Sequence, residues 1–409
     1  MQLRIEGQRT TACIDTETLR LRLIAVVCTH YIDQLESFIH TRGGLLLTTS
    51  SPLISRHLIP KPNMDENYGA ILLKMARKPF SIEETESRYP DENEIVVKNA
   101  AVSINPVDGA MQMGYVVNLT VPGILGADVA GEVVEVGSQV TRFSVGDRVM
   151  GHALRLATDD DRHAAFQNYT VLWRNMASPI PPSLSYENAS TMPLGISTAA
   201  SALFQKDMLG LEYPVLYPQA RDEWVIVAGS TGNVGSHGVR LATAAGYKVL
   251  VTASPRSFDL ARSLGATELV DYKDKDLVNT MAQKLSGKRV VGVFDASGQG
   301  SSIITMAQVL AKCQGNKTVA AVVDDFARKD VPKGVTVKLV FAIAIRETEV
   351  GKKVWEDFLP DALATGKYPI FPKARVVGDG LGAIQKAMDD EDDKDTKTPA
   401  GQKAVVTLS

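Results

Sequence analysis

Two short stretches carry residue types that can grip a phosphorylated ligand. The first, Gly229-Ser230-Thr231-Gly232-Asn233-Val234-Gly235, joins an apolar run at 224–228 to a helix-like stretch ending near Ala245. Without a Cβ, Gly232 lets backbone N–H groups approach a pyrophosphate, and Gly235 lets helix and strand pack closely. The helix N-terminus then faces the anion. Against the G-x-G-x-x-G pattern the first glycine is replaced by Ser230, and a tight turn with no ligand accounts for the same residues. The second stretch, Ser254-Pro255-Arg256-Ser257, ends the next apolar run, where an NAD site usually places an Asp or Glu on the ribose hydroxyls. Two hydroxyls and a guanidinium suit a 2′-phosphate and leave NAD without its acidic partner, so the stretch points to NADPH. Asp259 lies two positions into the following helix pattern, and a solvated arginine in a loop is the competing reading of Arg256.

Other chemistries lack their residues. Of three cysteines, Cys13 and Cys28 lie near the N-terminus and only Cys313 lies deep in the chain, so neither a disulfide framework nor a multi-Cys zinc site can be assembled. A reducing, cytoplasmic compartment fits. His152 and His163 have no third convergent ligand and read as structural or surface groups, so no metal is expected. The net charge of −3 offers no field to gather nucleic acid or an anionic membrane, and no Lys/Arg run is interleaved with aromatics. The expected partner is a small molecule.

These stretches need elements to hold them, and 409 residues allow two cores. After Trp224, strand-like segments at 224–228, 248–252, 268–270, 290–295 and 318–323 alternate with helix-length stretches, the βαβ signature of an α/β doubly wound parallel sheet. Before it, Tyr68 to about Ala153 reads as β-rich, with short runs such as EIVVKNAAVSI and turns at Gly137, Gly146 and Asp147. Residues 183–208 read as helical, with Ser185 as a cap and Glu187 in the first turn. The chain ends in a charged loop and a short strand expected to rejoin the β-rich domain. Residues 1–63 differ from the rest. Their apolar stretches fall short of a membrane span, and their spread of acidic residues fits a transit peptide poorly. They read as a disordered extension or an overlong start preceding a true Met64.

Taken in order, NPVDGAMQ (105–112), GADVAGEVVEVGSQVTRFSVGDRV (126–149), AAFQNYTV (164–171), MPLGISTAASALFQ (192–205), the turn at 229–235 and TASPRSFDLARSLGATELVDY (252–272) resemble successive blocks of the medium-chain dehydrogenase/reductase superfamily. The likeness runs from about Tyr68 to Ser409 and is similar to the fungal enoyl-reductase-like branch, which includes trans-acting enoyl reductases of polyketide synthesis. It implies a GroES-like catalytic domain at 64–195 and 342–409 and a Rossmann NADPH-binding domain at 196–341. It also implies that Asn105, Pro106 and Asp108 line the active-site side of the first domain, that Thr198 lies near the nicotinamide and that Tyr272 lies beside the adenosine. For each residue a structural reading stays open: a turn and loop cap at 105–108, a hydroxyl satisfying a local carbonyl at Thr198, a core tyrosine at 272. The chain departs from zinc-bearing relatives at Gly126-Ala127-Asp128, where they carry Gly-His-Glu, and from many zinc-free ones at Gly109-Ala110, where they carry Trp-Lys.

With no evident Lewis acid and no evident Ser–His or Cys–His nucleophile, the residues suit neither alcohol oxidation nor acyl-enzyme chemistry. Reducing an activated double bond asks mainly for orientation of two reactants. The expected activity is NADPH-dependent, zinc-independent reduction of an enoyl thioester or enone, free or carrier-bound, with a polyketide synthase as candidate partner and a monomer or homodimer as the state. Tyr115, Met192 and Phe341 are candidate apolar lining. The alternatives are an NADPH:quinone reductase and a non-catalytic NADPH-binding protein.

Overall fold

A computed structural model describes residues 66–115, 119–393 and 395–408. The expectations for residues 1–63 and for a start at Met64 fall outside the described residues. In the first half, β1 (Asn67–Leu72), β2 (Ser81–Thr85), β3 (Glu94–Ser103), helix α1 (Pro106–Gln112), β4 (Gly123–Ile124), β5 (Asp128–Val136), β6 (Arg148–His152), β7 (Tyr169–Trp173) and β8 (Ala177–Pro179) precede α2 (Pro193–Phe204). Then β9 (Glu223–Ala228), α3 (Asn233–Ala244), β10 (Lys248–Ala253), α4 (Phe258–Ser263), β11 (Glu268–Asp271), α5 (Leu277–Lys284), β12 (Arg289–Asp295), α6 (Gly300–Lys312), β13 (Gln314–Gly315), β14 (Thr318–Ala321) and β15 (Thr336–Leu339) alternate. The chain closes with β16 (Lys373–Asp379) and β17 (Gln402–Thr407).

The second group forms a parallel sheet of order β11-β10-β9-β12-β14-β15, with β13 also paired to β12. Its central strands are covered on both faces, so they read as continuous apolar runs: Val225, Ile226, Val227 and Ala228 are all 0% exposed. Strand order reverses between β9 and β10 on one side and β9 and β12 on the other, which opens a crevice at the carboxyl end of β9. The Gly229–Gly235 turn sits at that point. The first group forms a sheet of order β16-β17-β3-β5-β6-β8, with β7 also on β3 and a small sheet β2-β1-β4 beside it. β17 pairs antiparallel with β3 through Val405–Ser103, Val406–Val102 and Thr407–Ala101, so the last strand does return to the β-rich unit.

Five expected parallel strands are present, and besides the two-residue β13 the sheet holds one more that sequence patterning did not reveal, β15. It is a four-residue edge strand with no fully buried position, so its pattern carries no continuous apolar run. The single helix expected over 183–208 is two, Tyr186–Ser190 and α2, because Pro193 starts a new helix at its first position. Ser185 caps the first of these, its hydroxyl accepting from the Asn188 N–H at 3.3 Å. Asp147 does turn work, accepting from the Ser144 N–H at 2.8 Å beside Gly146 at φ +94°. Among the described residues no helix is long and apolar enough to cross a membrane.

Candidate active site and cofactor cradle

The glycines of the first stretch divide three jobs between them. Gly229 has φ +70°, and a Cβ there would stand 2.7 Å from the Ser297 N and 2.8 Å from Ala296. Gly235 lies under the turn, where a Cβ would meet the Gly229 carbonyl oxygen at 2.2 Å. Gly232 is different: its exposed position has an ordinary backbone, and a Cβ would meet only the Gly229 oxygen at 3.4 Å. Its open side faces solvent at the start of α3, whose N-terminus has no side-chain cap. The first N–H groups of that helix, Asn233, Val234 and Gly235, have no partners within it. Ser230, standing where the pattern has glycine, is fully buried and donates its hydroxyl to the Thr252 carbonyl at 3.2 Å. Its side chain ties β9 to β10, leaving only its backbone for a ligand. Thr231 is half-buried on the rim.

At the end of β10, the Ser254 and Ser257 hydroxyls lie 3.0 Å apart, with Pro255 and Arg256 exposed between them. Among the described residues Arg256 has no ion-pair partner, whereas Asp259 is 3.1 Å from the Arg262 guanidinium. Tyr272 is 51% exposed at the end of β11, with the Lys273 ammonium over its ring, so it is a surface ring and not a core tyrosine. An uncapped helix N-terminus, a glycine with open space above it and a guanidinium unpaired among the described residues beside two hydroxyls are the groups a phosphorylated dinucleotide requires, and here they follow the carboxyl ends of the adjacent strands β9 and β10.

In the β-rich unit, Asn105 and Asp108 build a turn. The Asp108 carboxylate accepts from the Asn105 N–H at 2.8 Å, the N-terminal device that starts α1 behind Pro106. Both are buried, at 2% and 0% exposure, and burial pushes the Asp108 carboxyl up to about 7, with Asp128 nearby adding to the rise. The Asn105 amide donates to Asp128 at 3.0 Å and accepts from the Lys403 ammonium at 2.8 Å. Asp128 also accepts from the Ser103 hydroxyl at 3.1 Å and from the Leu194 N–H at 2.6 Å, and it pairs with Lys403. Thr198, 8% exposed on α2, donates to the Leu194 carbonyl at 2.7 Å. The structure therefore places Asn105, Asp108 and Thr198 in one neighbourhood, each with an internal partner.

Two further groups escaped sequence reasoning. Lys403 stands 298 positions from Asn105, and no local spacing signals their meeting. His237 and Arg240, on the buried face of α3, bind the chain that returns to the first sheet: Tyr368 OH lies 2.7 Å from His237 Nδ1, and Arg240 donates to the Pro369 and Phe371 carbonyls. Because a guanidinium only donates, its 3.0 Å contact to Nδ1 puts the ring proton on Nε2, and burial with the neighbouring cation holds His237 well below its ordinary range. Of the candidate lining residues, Met192 is fully buried in the core, and Tyr115 and Phe341 are half-buried. His152 is buried with its pKa lowered to about 4 by desolvation, and His163 lies between Glu94 (2.8 Å) and Thr158 (3.0 Å). Among the described residues no three His, Cys, Asp or Glu side chains converge on a metal-sized site.

Comparison with known proteins agrees with this architecture. Residues 91–182 match the alcohol dehydrogenase GroES-like domain, and residues 233–360 match the family described as zinc-binding dehydrogenase. A zinc-binding alcohol dehydrogenase domain-containing protein, cipB, of Emericella nidulans is 42% identical over 84% of this chain and 98% of its own length. The chain belongs to the medium-chain dehydrogenase/reductase superfamily. A second superfamily relative, the trans-enoyl reductase himH of Aspergillus japonicus, is 36% identical over 72% of the chain and 85% of its own length. Among solved structures, the Escherichia coli quinone oxidoreductase complexed with NADPH matches with a TM-score of 0.59 at 21% identity, covering 83% of this chain and 99% of the other. This superfamily member is accordingly an oxidoreductase, with a GroES-like domain and a Rossmann-like one.

Proposed function

We propose that the chain reduces an activated carbon–carbon double bond of an enoyl thioester or enone with NADPH. The observation that carries the cofactor is the Ser254–Ser257 loop: an exposed guanidinium with no carboxylate partner among the described residues beside two hydroxyls, with the nearby Asp259 committed to Arg262. A ribose 2′-phosphate satisfies that set, and an unmodified ribose diol does not. The likeness to a trans-enoyl reductase supports the double bond. When bound, NADPH would supply the hydride for the β-carbon, and a proton added at the α-carbon would balance the saturated product against NADP+.

This chain's residues contribute order. The α3 N-terminus would hold the pyrophosphate, Arg256 with Ser254 and Ser257 would hold the 2′-phosphate, and Tyr272 would offer its exposed ring to the adenosine. Asn105 and Asp108 hold the turn that starts α1, and Thr198 is bonded within α2; these are the residues that would border the nicotinamide end of the cofactor. The substrate, whether free or presented by a polyketide-synthase carrier, enters between the two domains. The test is NADPH oxidation by purified, chelator-washed protein offered an enoyl thioester, an enone and a quinone in parallel, with NADH as control. Turnover of thioester or enone is expected. Turnover of the quinone alone would replace this reading with a quinone reductase, and tight NADPH binding without turnover would replace it with a cofactor-binding protein.

A further inference from the structure

Lys403 is the buried cation of the molecule's central junction. From β17 its ammonium meets three oxygens on three other segments: the Asn105 amide oxygen at 2.8 Å, the Asp128 carboxylate, and the Thr191 carbonyl at 3.2 Å. Those contacts use all three N–H donors of a side chain in a residue only 7% exposed. A free amine awaiting a ligand would not be so engaged.

The partner that matters most is Asp128, because its other oxygen reaches beyond its sheet to α2. It accepts from the N–H of Leu194, in the first turn of α2, at 2.6 Å. The next residue, Gly195, packs directly on the cofactor helix: a Cβ there would stand 2.6 Å from the His237 ring and 2.8 Å from the Asn233 amide oxygen. One line of charge-assisted bonds and close packing thus runs from Lys403 through Asp128 and Leu194 to the N-terminal turn of α3. Without the ammonium the buried Asp128 carboxylate loses its charge partner, and a turn of that carboxylate toward water pulls its other oxygen off the Leu194 N–H.

We propose that Lys403 is a positioning residue for the reduction: its ammonium holds the Asp128 carboxylate aligned on the Leu194 N–H and so seats the first turn of α2 against the cofactor cradle. The proposal rests on the reductase reading above. Its consequence is kinetic, because a displacement of about 1 Å between reactants costs roughly 100-fold in rate. Lys403→Met is expected to lose about 100-fold in kcat with KM for the double-bond substrate changed less than about threefold. Lys403→Arg, which keeps the charge, restores part of the loss.

Two measurements decide it. Steady-state NADPH oxidation is compared among wild type, Lys403→Met, Lys403→Arg and a core control, Met281→Leu, which lies on α5 in a separate apolar cluster and should keep kcat. Hydrogen exchange then reads the Leu194 amide directly: it should exchange at least about tenfold faster in Lys403→Met while peptides of β10 and β11 stay as in wild type. A folded Lys403→Met with wild-type kcat, or with unaltered exchange at Leu194, overturns the proposal. If Lys403→Met does not fold, Lys403→Gln, which keeps donors but not charge, takes its place in both measurements, and wild-type kcat or unaltered Leu194 exchange there overturns the proposal equally. A wild-type enzyme inert toward every double-bond acceptor would sink the reductase reading, and exchange at Leu194 would still decide the role of Lys403.

Discussion

Two neighbouring glycines should fail in opposite ways when each gains one methyl group. At Gly232 the backbone, φ −77° and ψ 170°, is one that alanine adopts freely, and the added Cβ meets only the Gly229 oxygen at 3.4 Å. Folding should therefore be unharmed, and the loss of unfolded-state freedom stabilises by about 0.4–1 kcal/mol. The same methyl group occupies the space through which the α3 N–H groups reach a pyrophosphate. Each hydrogen bond to a charged group contributes about 1.5–3 kcal/mol, so losing one weakens NADPH about 10- to 150-fold. At Gly235 the Cβ would lie 2.2 Å from the Gly229 oxygen and 2.7 Å from the Gly229 carbonyl carbon, both backbone atoms of the turn itself. Strand and helix must then part, costing about 1–3 kcal/mol of stability, with each kcal/mol moving Tm by roughly 2–4 °C. Calorimetric titration with NADPH and thermal melting, run on both variants, separate the two roles. Gly232→Ala with wild-type NADPH affinity would refute the cradle, because a turn that binds nothing has no use for an open side.

If the exposed Arg256 guanidinium serves only a 2′-phosphate, as proposed, Arg256→Ala weakens NADPH about tenfold and leaves NADH unchanged; equal losses for both would argue against that assignment. A pH series tests the buried pair. Folded Asp108, raised from 3.8 to about 7, keeps a proton that the unfolded chain has lost, so its contribution makes stability fall as pH rises between about 4 and 7. Folded His152, lowered from 6.5 to about 4, lacks a proton that the unfolded chain holds, so its contribution makes stability rise with pH between about 4 and 6.5. The two oppose, and Asp108→Asn removes one of them: its urea unfolding free energy should gain on wild type by about 1.4 kcal/mol per pH unit from about pH 5 to about pH 7. A constant difference across that range would mean that Asp108 is ionised throughout. Phe294→Ala, at a fully buried ring packed where a Cβ on Gly238 would lie 2.6 Å away, should cost about 3–5 kcal/mol in urea unfolding; a loss under about 1 kcal/mol would show that the helix–sheet contact repacks.

What the sequence determined by itself was whatever local chemistry encodes. The parallel strands announce themselves because burial on both faces demands unbroken apolar runs, as in Trp224–Ala228. The turn at 229–235 was legible because backbone geometry there excludes a side chain, and the Ser254–Ser257 loop because its position after the second strand is fixed by the fold's topology. The edge strand β15 was not legible, since four half-buried residues carry no pattern. Nor could sequence choose between a direct and a structural role for Asn105, Asp108 and Thr198. That choice depends on which atoms lie opposite them, and the tertiary structure supplies Asp128, Lys403 and the Leu194 carbonyl. Lys403 shows the limit most plainly. A lysine in a short C-terminal strand reads as a solvated charge until β17 pairs with β3 and sets its ammonium against Asn105 and Asp128, because a buried cation is defined by its partners across space and not by its neighbours in the chain.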